Sequence, residues 1–324
     1  MKNCQRHIIT AVTYGLFALG TLLLQPSTAQ ATQDDIRLSL SPVDRLLAGN
    51  PAKGVHPLSA TIAEVSLGIY PVGGGYHRWH GQLWADVGML ALGPHLLFRF
   101  GLSVQTVADY QNSIKFRLVR LYYDAAPGFD IRLGPGVLSV GYRHRCSHGA
   151  DVAVPGRILI RSGLDVAYRL QKELGPLQFR GELVVQATAA GQNQDTLFQP
   201  RALVYTTGGL TWAIVGRLGL VASAGIGVAV AGTGDDTTFG LASPLGEAQA
   251  VPLPAAAVGL QFEGRGATAR VLLHYQRLLD SGNTAVSNSP DLLAVRIEFA
   301  WLGHRTGKQG PRSPTTRGEV QSGD

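Results

Sequence analysis

Residues 141 to 151, GYRHRCSHGAD, concentrate side chains that can do acid–base, nucleophilic or metal chemistry. Two His, two Arg, a Cys, a Ser and an Asp share these positions in a chain of which only 15% is charged. A nucleophilic site would use His144 as the general base and Cys146 or Ser147 as the nucleophile, because a His beside a thiol or hydroxyl can remove its proton. Asp151 or His148 would orient the imidazole.

Two other interpretations of the segment are open. In a metal site, His144, Cys146 and His148 would share one face of a strand, but same-face neighbours stand about 6.6 Å apart. Zinc holds its ligands at about 2.0 to 2.3 Å, so two of these side chains can share an ion and all three hardly can. We therefore predict no metal and no other cofactor. In the other interpretation the segment is a polar strand end whose His and Arg side chains contact lipid phosphates.

The elements that carry this segment are strands, because large apolar residues recur at every second position. In Leu293 to Trp301 every odd residue is large and apolar, whereas Arg296 and Glu298 lie between them. Residues 96–105 and 157–170 alternate in the same way. Such strands suit a soluble β-sandwich, or a barrel that turns its apolar face to lipid and its polar face to the lumen.

The lengths and spacing of the segments favour an all-β fold: a closed antiparallel transmembrane β-barrel of about twelve strands. Many segments reach ten residues, whereas soluble strands usually have about five or six. Tight links alternate with longer ones such as 232–252, as the periplasmic turns and surface loops of outer-membrane barrels do. We place the strands near residues 60–70, 81–92, 96–106, 113–123, 130–147, 157–170, 176–188, 201–215, 218–231, 253–263, 266–278 and 291–302. The tight links are 93–95, 172–176, 216–219 and 263–266, and the link at 124–129 is slightly longer.

The remaining residues flank the barrel. Residues 1–31 have the pattern of a secretory signal peptide, in which a basic start and an apolar run precede a cleavage site at Ala29-Gln30-Ala31. Residues 32–58 would form a periplasmic N-terminal segment, 59–302 the barrel, and 303–324 a disordered basic tail. We expect periplasmic termini and a location in the bacterial outer membrane.

The composition of the chain limits the classes of partner that we expect. The formal net charge of +6 is spread along the chain, so nucleic acid is not an expected partner. Removal of the signal peptide would leave Cys146 as the only thiol, which excludes an intramolecular disulfide. We expect membrane lipids or lipopolysaccharide as partners, together with the outer-membrane assembly machinery, for which Phe299 and Trp301 would form the aromatic insertion signal.

Alternation also assigns side chains to the lumen or to lipid. Arg and carboxylates that pair with each other would fill a narrow lumen, whereas an excess of Arg would make an anion-preferring pore. We expect Tyr70, Tyr142, Tyr168 and Trp301 in the interfacial aromatic girdles. The charged residues assigned to the lumen are Glu64, Asp86, Arg99, Arg143, Arg145, Arg157, Arg161, Asp165, Arg169, Arg180, Glu182, Arg270, Arg296 and Glu298.

The opening segment falls at the end of the fifth strand, at the extracellular rim. The same alternation turns His144, Cys146 and His148 toward lipid, where a barrel ordinarily carries Leu, Val or Phe. It turns Arg143, Arg145 and Ser147 toward the lumen.

Tyr142-x-His144-x-Cys146-Ser147-His148-x-x-Asp151 resembles the Tyr-x-His-x-Ser-Ser-His-x-x-Asp signature of an uncharacterised family of outer-membrane barrels. The resemblance includes Leu46 to Pro51 and, more loosely, residues 81–123 and 157–170. It implies a barrel architecture and an outer-membrane location. No activity is established for that family, so the resemblance implies none.

A weaker resemblance is to the lipid A 3-O-deacylase barrels, which carry a His-x-Ser-Asn motif on the outer wall and remove an ester-linked acyl chain from lipid A. By this resemblance His144 matches the general base, Cys146 falls at the nucleophilic Ser, and Ser147 falls at the Asn. The acidic partner has no clear match, although Asp151 is near.

Two functional hypotheses follow. The favoured one is a non-enzymatic barrel, either a narrow channel or a surface-binding protein that works through its long loops, above all 232–252. The alternative is an outer-leaflet carboxylic-ester hydrolase acting on lipid A or phospholipid. In that alternative His144 is the base, Cys146 or Ser147 the nucleophile, and Asp151 the orienting group, with His148 as a second possible orienting group.

Overall fold

The described part of the chain is built of antiparallel strands. A computed structural model describes residues 55–72, 78–110, 113–149, 159–193, 198–233, 238–242, 244–264, 267–277 and 291–304. The strands are β1 (Val55–Val72), β2 (Trp79–Leu92), β3 (Leu96–Asp109), β4 (Arg117–Leu133), β5 (Gly136–Gly149), β6 (Leu159–Leu174), β7 (Leu177–Asn193), β8 (Phe198–Val215), β9 (Leu218–Thr233), β10 (Gly240–Leu241), β11 (Gly246–Glu263), β12 (Ala267–Arg277) and β13 (Asp291–His304).

Twelve of these strands form a closed ring. Each pairs with the next along the chain, and β13 pairs with β1 to close the barrel. The exception is β10, a two-residue strand from the link between β9 and β11, which pairs with the end of β7. The predicted closed barrel of twelve strands is therefore confirmed.

The two faces of the wall differ as predicted. Leu, Val, Ile and Phe side chains are exposed on the outside of most strands, as Leu67, Leu102 and Val204 show. A closed ring with such a surface presents its apolar face to lipid, and the protein is an outer-membrane β-barrel. The described residues include no helix long and apolar enough to cross a membrane.

Four tight turns depend on glycine. Gly93, Gly134, Gly175 and Gly216 have φ angles of 60°, 58°, 59° and 56°, the left-handed region that glycine enters without a Cβ clash. In the first three turns a proline follows the glycine. The links that begin at Gly134, Gly175 and Gly216 have two residues, and such hairpins favour a glycine at their first position when φ there is positive. These turns lie at the end of the barrel where the described chain begins and ends, here called the short-turn end; the opposite end is the long-loop end.

The predicted link at 124–129 is wrong. Strand β4 continues through these residues to Leu133, and the turn to β5 is Gly134-Pro135. Pro127 cannot donate a backbone hydrogen bond, so the pairing with β5 is interrupted beside it and resumes in the same register at Gly128 opposite Gly141. A Cβ added to Gly128 would lie 3.1 Å from the Cα of Gly141, so two facing glycines let the strands approach there.

Several other boundaries differ from the prediction. The first strand begins at Val55 rather than near residue 60, and the last runs to His304. The expected long link at 232–252 is shorter, because β9 reaches Thr233 and β11 begins at Gly246. Pro252 and Pro254 fit this part of β11 because it pairs there with β9 alone, as an edge strand does. The expected signal peptide, most of the N-terminal segment and the tail from residue 305 lie outside the described residues.

Charged side chains fill the lumen at the levels that the described strands cover. The inward assignments are confirmed for all the charged residues tested, although Asp165 stays partly exposed; Arg157 lies outside the described residues. Arg99 contacts Asp86 at 3.2 Å and Asp130 at 2.9 Å, and Arg169 contacts Glu182 at 2.7 Å. A water-filled pore would leave its lining exposed, so the mutually paired arrangement is the one observed.

The girdle prediction for Tyr70 is wrong. Tyr70 is 2% exposed and faces the lumen, where its hydroxyl accepts a 3.3 Å hydrogen bond from Gln276. It shares its face of β1 with Glu64, so the alternation itself requires this orientation. Tyr142 and Trp301 are exposed on the outer wall; Trp301 lies near the end of β13, but Tyr142 lies in the middle of β5 rather than near a strand end. Tyr168 faces outward and donates a 3.2 Å hydrogen bond to the carbonyl of Leu133 at the short-turn end.

Candidate functional site

A hydrogen-bonded His–Ser pair lies on the outer face of the barrel wall. Strand β5 carries His144 and β6 carries Ser162 directly opposite, so both side chains point to the same side of the sheet. The Nδ1 atom of His144 lies 2.8 Å from the Oγ of Ser162. The pair sits in the half of the wall nearer the long-loop end, among side chains that are otherwise mostly apolar.

Cys146 lies two residues beyond His144 on the same outward face. Its pairing partners are Tyr123 on β4 and Ile160 on β6, and the residue is partly exposed. Ser162, by contrast, is only 2% exposed. Among the described residues the imidazole bonds Ser162 and not Cys146. Cys146 is therefore the more exposed of the two residues.

The other residues predicted for the site are distributed differently. Ser147 faces the lumen and is buried, on the side of the wall opposite His144, as the alternation predicted. The backbone of His148 pairs with Leu121 on β4, and the direction of its side chain lies outside the described part of the structure. Asp151 lies outside the described residues.

Sequence reasoning missed Ser162. The prediction searched residues 141 to 151, whereas Ser162 belongs to the next strand and meets His144 only through the pairing register of β5 and β6. That register is set across a link of at least nine residues whose length alone does not determine it. A serine at an outward position of a membrane strand was the available signal.

A β-bulge next to Ser162 distorts the wall. Ser162 pairs with Ala190 on β7, but Gly163 pairs with Thr188, so Ala189 is an extra residue on β7. A Cβ added to Gly163 would overlap the carbonyl oxygen of Ala187, so only glycine fits there.

Above the bulge, β7 changes partner. Its ladder with β8 ends at Ala187 opposite Ala202, although β7 continues to Asn193. The free edge of β7 is then occupied by β10, with Leu241 opposite Ala190. The amide of Ala242 also donates a 3.1 Å hydrogen bond to the carbonyl of Ala189. The wall beside the His–Ser pair is thus completed by a segment from the link between β9 and β11.

Buried arginines stand on the lumen side of the same strands. Strands β5 to β7 carry five buried guanidinium groups, whereas β1 to β4 carry five buried carboxylates among the described residues. Arg145 reaches across this division, with Asp124 at 3.2 Å and the ring of Tyr122 at 4.3 Å. The five on β5 to β7 are Arg143, Arg145, Arg161, Arg169 and Arg180, beside one buried carboxylate, Glu182; the five on β1 to β4 are Glu64, Asp86, Asp109, Asp124 and Asp130, beside two buried arginines, Arg99 and Arg120.

Comparisons with known proteins find solved outer-membrane barrels of similar fold, but they identify no family. No protein-family model matches the chain, and no curated protein matches it. LpxR from Salmonella typhimurium is a similar solved structure, with a TM-score of 0.45 and 8% identity over 74% of this chain and 99% of that one. An outer membrane channel from Pseudomonas putida F1 has a TM-score of 0.47 and 11% identity, over 82% and 100% of the two chains. Outer membrane phospholipase A from Escherichia coli has a TM-score of 0.41 and 10% identity, over 79% and 97%.

Proposed function

We propose that this barrel is a hydrolase of acyl esters in outer-leaflet lipids, with the long-loop end at the cell surface. The observation that carries the proposal is the hydrogen bond between His144 and Ser162 on the lipid-facing wall. Polar groups exposed to hydrocarbon are costly, so those retained there mark functional sites by default. A surface that meets lipid acyl chains directly also supplies the substrate without diffusion through the lumen.

The hydrogen bond suggests a role for each group. If Nδ1 of His144 carries the proton and donates it to the Ser162 hydroxyl, Nε2 is left as the base. Cys146 is the nucleophile because it shares the face of His144 and is more accessible than Ser162. Same-face neighbours stand about 6.6 Å apart, so a rotation of the Cys146 side chain has to close the remaining gap when substrate binds. Ser162 is then a positioning residue.

The reaction proceeds in two steps. His144 takes the thiol proton of Cys146 while the sulfur attacks the ester carbonyl; the C–O bond breaks, and the alcohol leaves with the proton from the imidazolium. The acyl group remains on sulfur as a thioester. Water then gives a proton to the imidazole and attacks the thioester, which releases the fatty acid as the thiol recovers that proton. Asp151 and His148 remain candidates for a further orienting group.

Non-enzymatic roles are the competing proposal. A narrow channel would need a path through the lumen, and the buried ion pairs at the described levels argue against one. A surface-binding role would depend on loops at the long-loop end, much of which lie outside the described residues. Recognition of Phe299 and Trp301 by the assembly machinery likewise stays a prediction; both side chains are exposed on the outer wall.

Mass spectrometry tests the hydrolase. Folded protein in mixed micelles with diacyl lipids, and lipid A from cells with and without the protein, should both show loss of an ester-linked chain. We expect His144→Ala and Cys146→Ala to lower the rate by at least about 100-fold, in the range that general-base catalysis contributes. An acyl adduct on Cys146 should appear in the intact mass of the wild type.

Matched variants separate the roles. Ser162→Ala should slow the reaction about 10-fold and shift its pH profile, because a hydrogen bond that orients the imidazole contributes about 0.5 to 1.5 kcal/mol. Thr106→Val changes another outward hydroxyl, on β3, and should leave the rate unchanged. Ser147→Ala, which alters a lumen residue, should also remain active; its inactivity would favour Ser147 as nucleophile. Intact lipids in both assays would rule the hydrolase out.

A further inference from the structure

Three aromatic side chains cluster on the outer wall where β2, β3 and β4 reach the long-loop end. Trp79 pairs with Ile69, whose side chain is exposed on the outer wall, so the indole points outward as well. The centroid of its ring lies 6.3 Å from that of Tyr110 and 6.0 Å from that of Phe116. Tyr110 and Phe116 are exposed. These three side chains, here called the aromatic rim, therefore present ring surface outside the barrel.

The turn that leads into β4 is fixed against the aromatic rim. Lys115 in this turn has a φ of 58°, the left-handed region that residues with a Cβ rarely adopt. The indole nitrogen of Trp79 donates a 3.2 Å hydrogen bond to the carbonyl of Lys115. Residues persist in this region where surrounding contacts hold them, and they concentrate at functional sites. Trp79 thus keeps Lys115 beside the other two rings.

Two cationic side chains accompany the aromatic rim. The guanidinium carbon of Arg78 lies 5.8 Å from the centre of the Tyr110 ring, and Lys115 is exposed. Asp109 is the only carboxylate in residues 69–81 and 104–118. It is buried and lies 2.6 Å from Arg117, which matches its charge. The surface around the aromatic rim therefore favours an anion.

The wall beside the aromatic rim, toward the middle of the barrel, is apolar. Leu67, Leu83 and Leu102 are exposed there on β1 to β3. With the short turns in the periplasm, as in other outer-membrane barrels, the aromatic rim lies on the outer-leaflet side. A molecule that fits this surface has acyl chains for the wall, anionic groups for the two cations and a ring that can pack on aromatic side chains. A phosphorylated sugar that carries acyl chains has all three.

We infer that the aromatic rim binds the phosphorylated sugar headgroup of an outer-leaflet glycolipid. Arg78 and Lys115 bond phosphate oxygens, since hydrogen bonds between ionised groups are the strong ones. Tyr110 and Phe116 pack against the sugar, and Trp79 holds the turn. Binding here breaks no covalent bond and uses neither the His–Ser pair nor the thiol on β5. The inference therefore stands or falls independently of the proposed hydrolysis.

Native mass spectrometry of the folded full chain tests the inference, with diphosphorylated lipid A as the probe. The comparison lipid is the same lipid A after removal of both phosphates, and the measured mass shows whether the bound lipid has kept its acyl chains. We expect wild type to retain about tenfold more of the phosphorylated form, the effect of one hydrogen bond between charged groups. The double variant Arg78→Gln with Lys115→Gln should bind both forms equally. The matched control is Arg277→Gln, which removes a partly exposed arginine at the same end whose charge is paired with Asp291; it should keep the preference.

A second pair of variants tests the rings. Trp79→Ala should lower retention of both forms of lipid A about threefold or more, because it removes an aromatic contact and releases the turn. Trp212→Ala removes another outward indole, on β8 near the short-turn end, and should leave retention unchanged. Equal effects of the two substitutions would contradict a site at the aromatic rim.

Equal retention of the two forms by wild type would overturn the inference, and this result needs no variant. An undiminished preference in the folded double variant would contradict it as well. Phosphatidylglycerol and inorganic phosphate serve as competitors. If either displaces lipid A at equal concentration, the surface belongs to phospholipids or to a soluble anion, and the glycolipid is wrong. Displacement only at large excess supports the glycolipid.

Discussion

At the scale of single residues, Arg99 holds two buried carboxylates together. It contacts Asp86 and Asp130, and all three side chains are nearly inaccessible to solvent. Arg99→Ala would leave both carboxylates buried without their shared cation, which costs about 3 to 5 kcal/mol in comparable sites. We expect a loss of that size in the free energy of unfolding, measured by urea titration in detergent micelles.

The control is an ion pair of similar geometry near the long-loop end. Arg277 and Asp291 are 3.0 Å apart, but their side chains are 31% and 51% exposed. Arg277→Ala should cost less than about 1 kcal/mol, because water replaces the lost contact. Equal losses in the two variants would show that the lumen around Arg99 is wetter than its burial indicates.

Residue types and alternation predicted which way side chains face, and no more than that. The inward positions of Arg99 and Arg145 follow from period two alone. Tyr70 follows from the same rule, but its aromatic character suggested a girdle instead. The His144–Ser162 contact required knowledge of the register between two strands, and a one-residue slip would have removed it.

At the scale of elements, the bulge on β7 depends on Gly163. A Cβ there would overlap the backbone of Ala187, which cannot move without breaking the ladder of β7 with β6 or β8. Gly163→Ala should lower the free energy of unfolding by about 3 kcal/mol, the upper range for overpacking. Gly208→Ala in β8 is the control, since a Cβ there meets nothing within 4 Å and should change stability little. Unchanged stability of Gly163→Ala would mean that the bulge is absent or readily relaxed.

The boundaries of elements were predictable where turn chemistry was unambiguous. Leu-Gly-Pro occurs at 92–94, 133–135 and 174–176, and each marks a turn in the structure. The second was missed because Pro127-Gly128, a few residues earlier, carries the same turn-forming residues. The structure turns at Gly134-Pro135 and not at Pro127-Gly128. At Pro127 the pairing of β4 with β5 is interrupted but keeps its register, and Gly128 faces another glycine, so the strand continues through both residues.

At the scale of the whole molecule, the lumen is divided by charge. Carboxylates predominate on β1 to β4 and guanidinium groups on β5 to β7, and ion pairs such as Arg145 with Asp124 join the two sides. This arrangement pairs buried charges of opposite sign within the barrel, while His144 and Cys146 lie on the outer wall. Composition showed a modest net charge, but the division appears only when the strands are closed into a ring.

The charge network leads to the last prediction, which concerns conduction. Folded wild-type protein in planar bilayers should show no steady current steps, because the inward side chains at the described levels are packed too closely to admit water. Arg277→Ala should be equally silent, since it alters the long-loop end and leaves the lumen ion pairs intact. Heat-modifiable gel migration establishes that each sample is folded before it is measured. Steady ohmic steps from folded protein would contradict an occluded lumen and favour the channel function over the hydrolase. The absence of current, together with loss of lipid acyl chains, would support an activity on the outer wall.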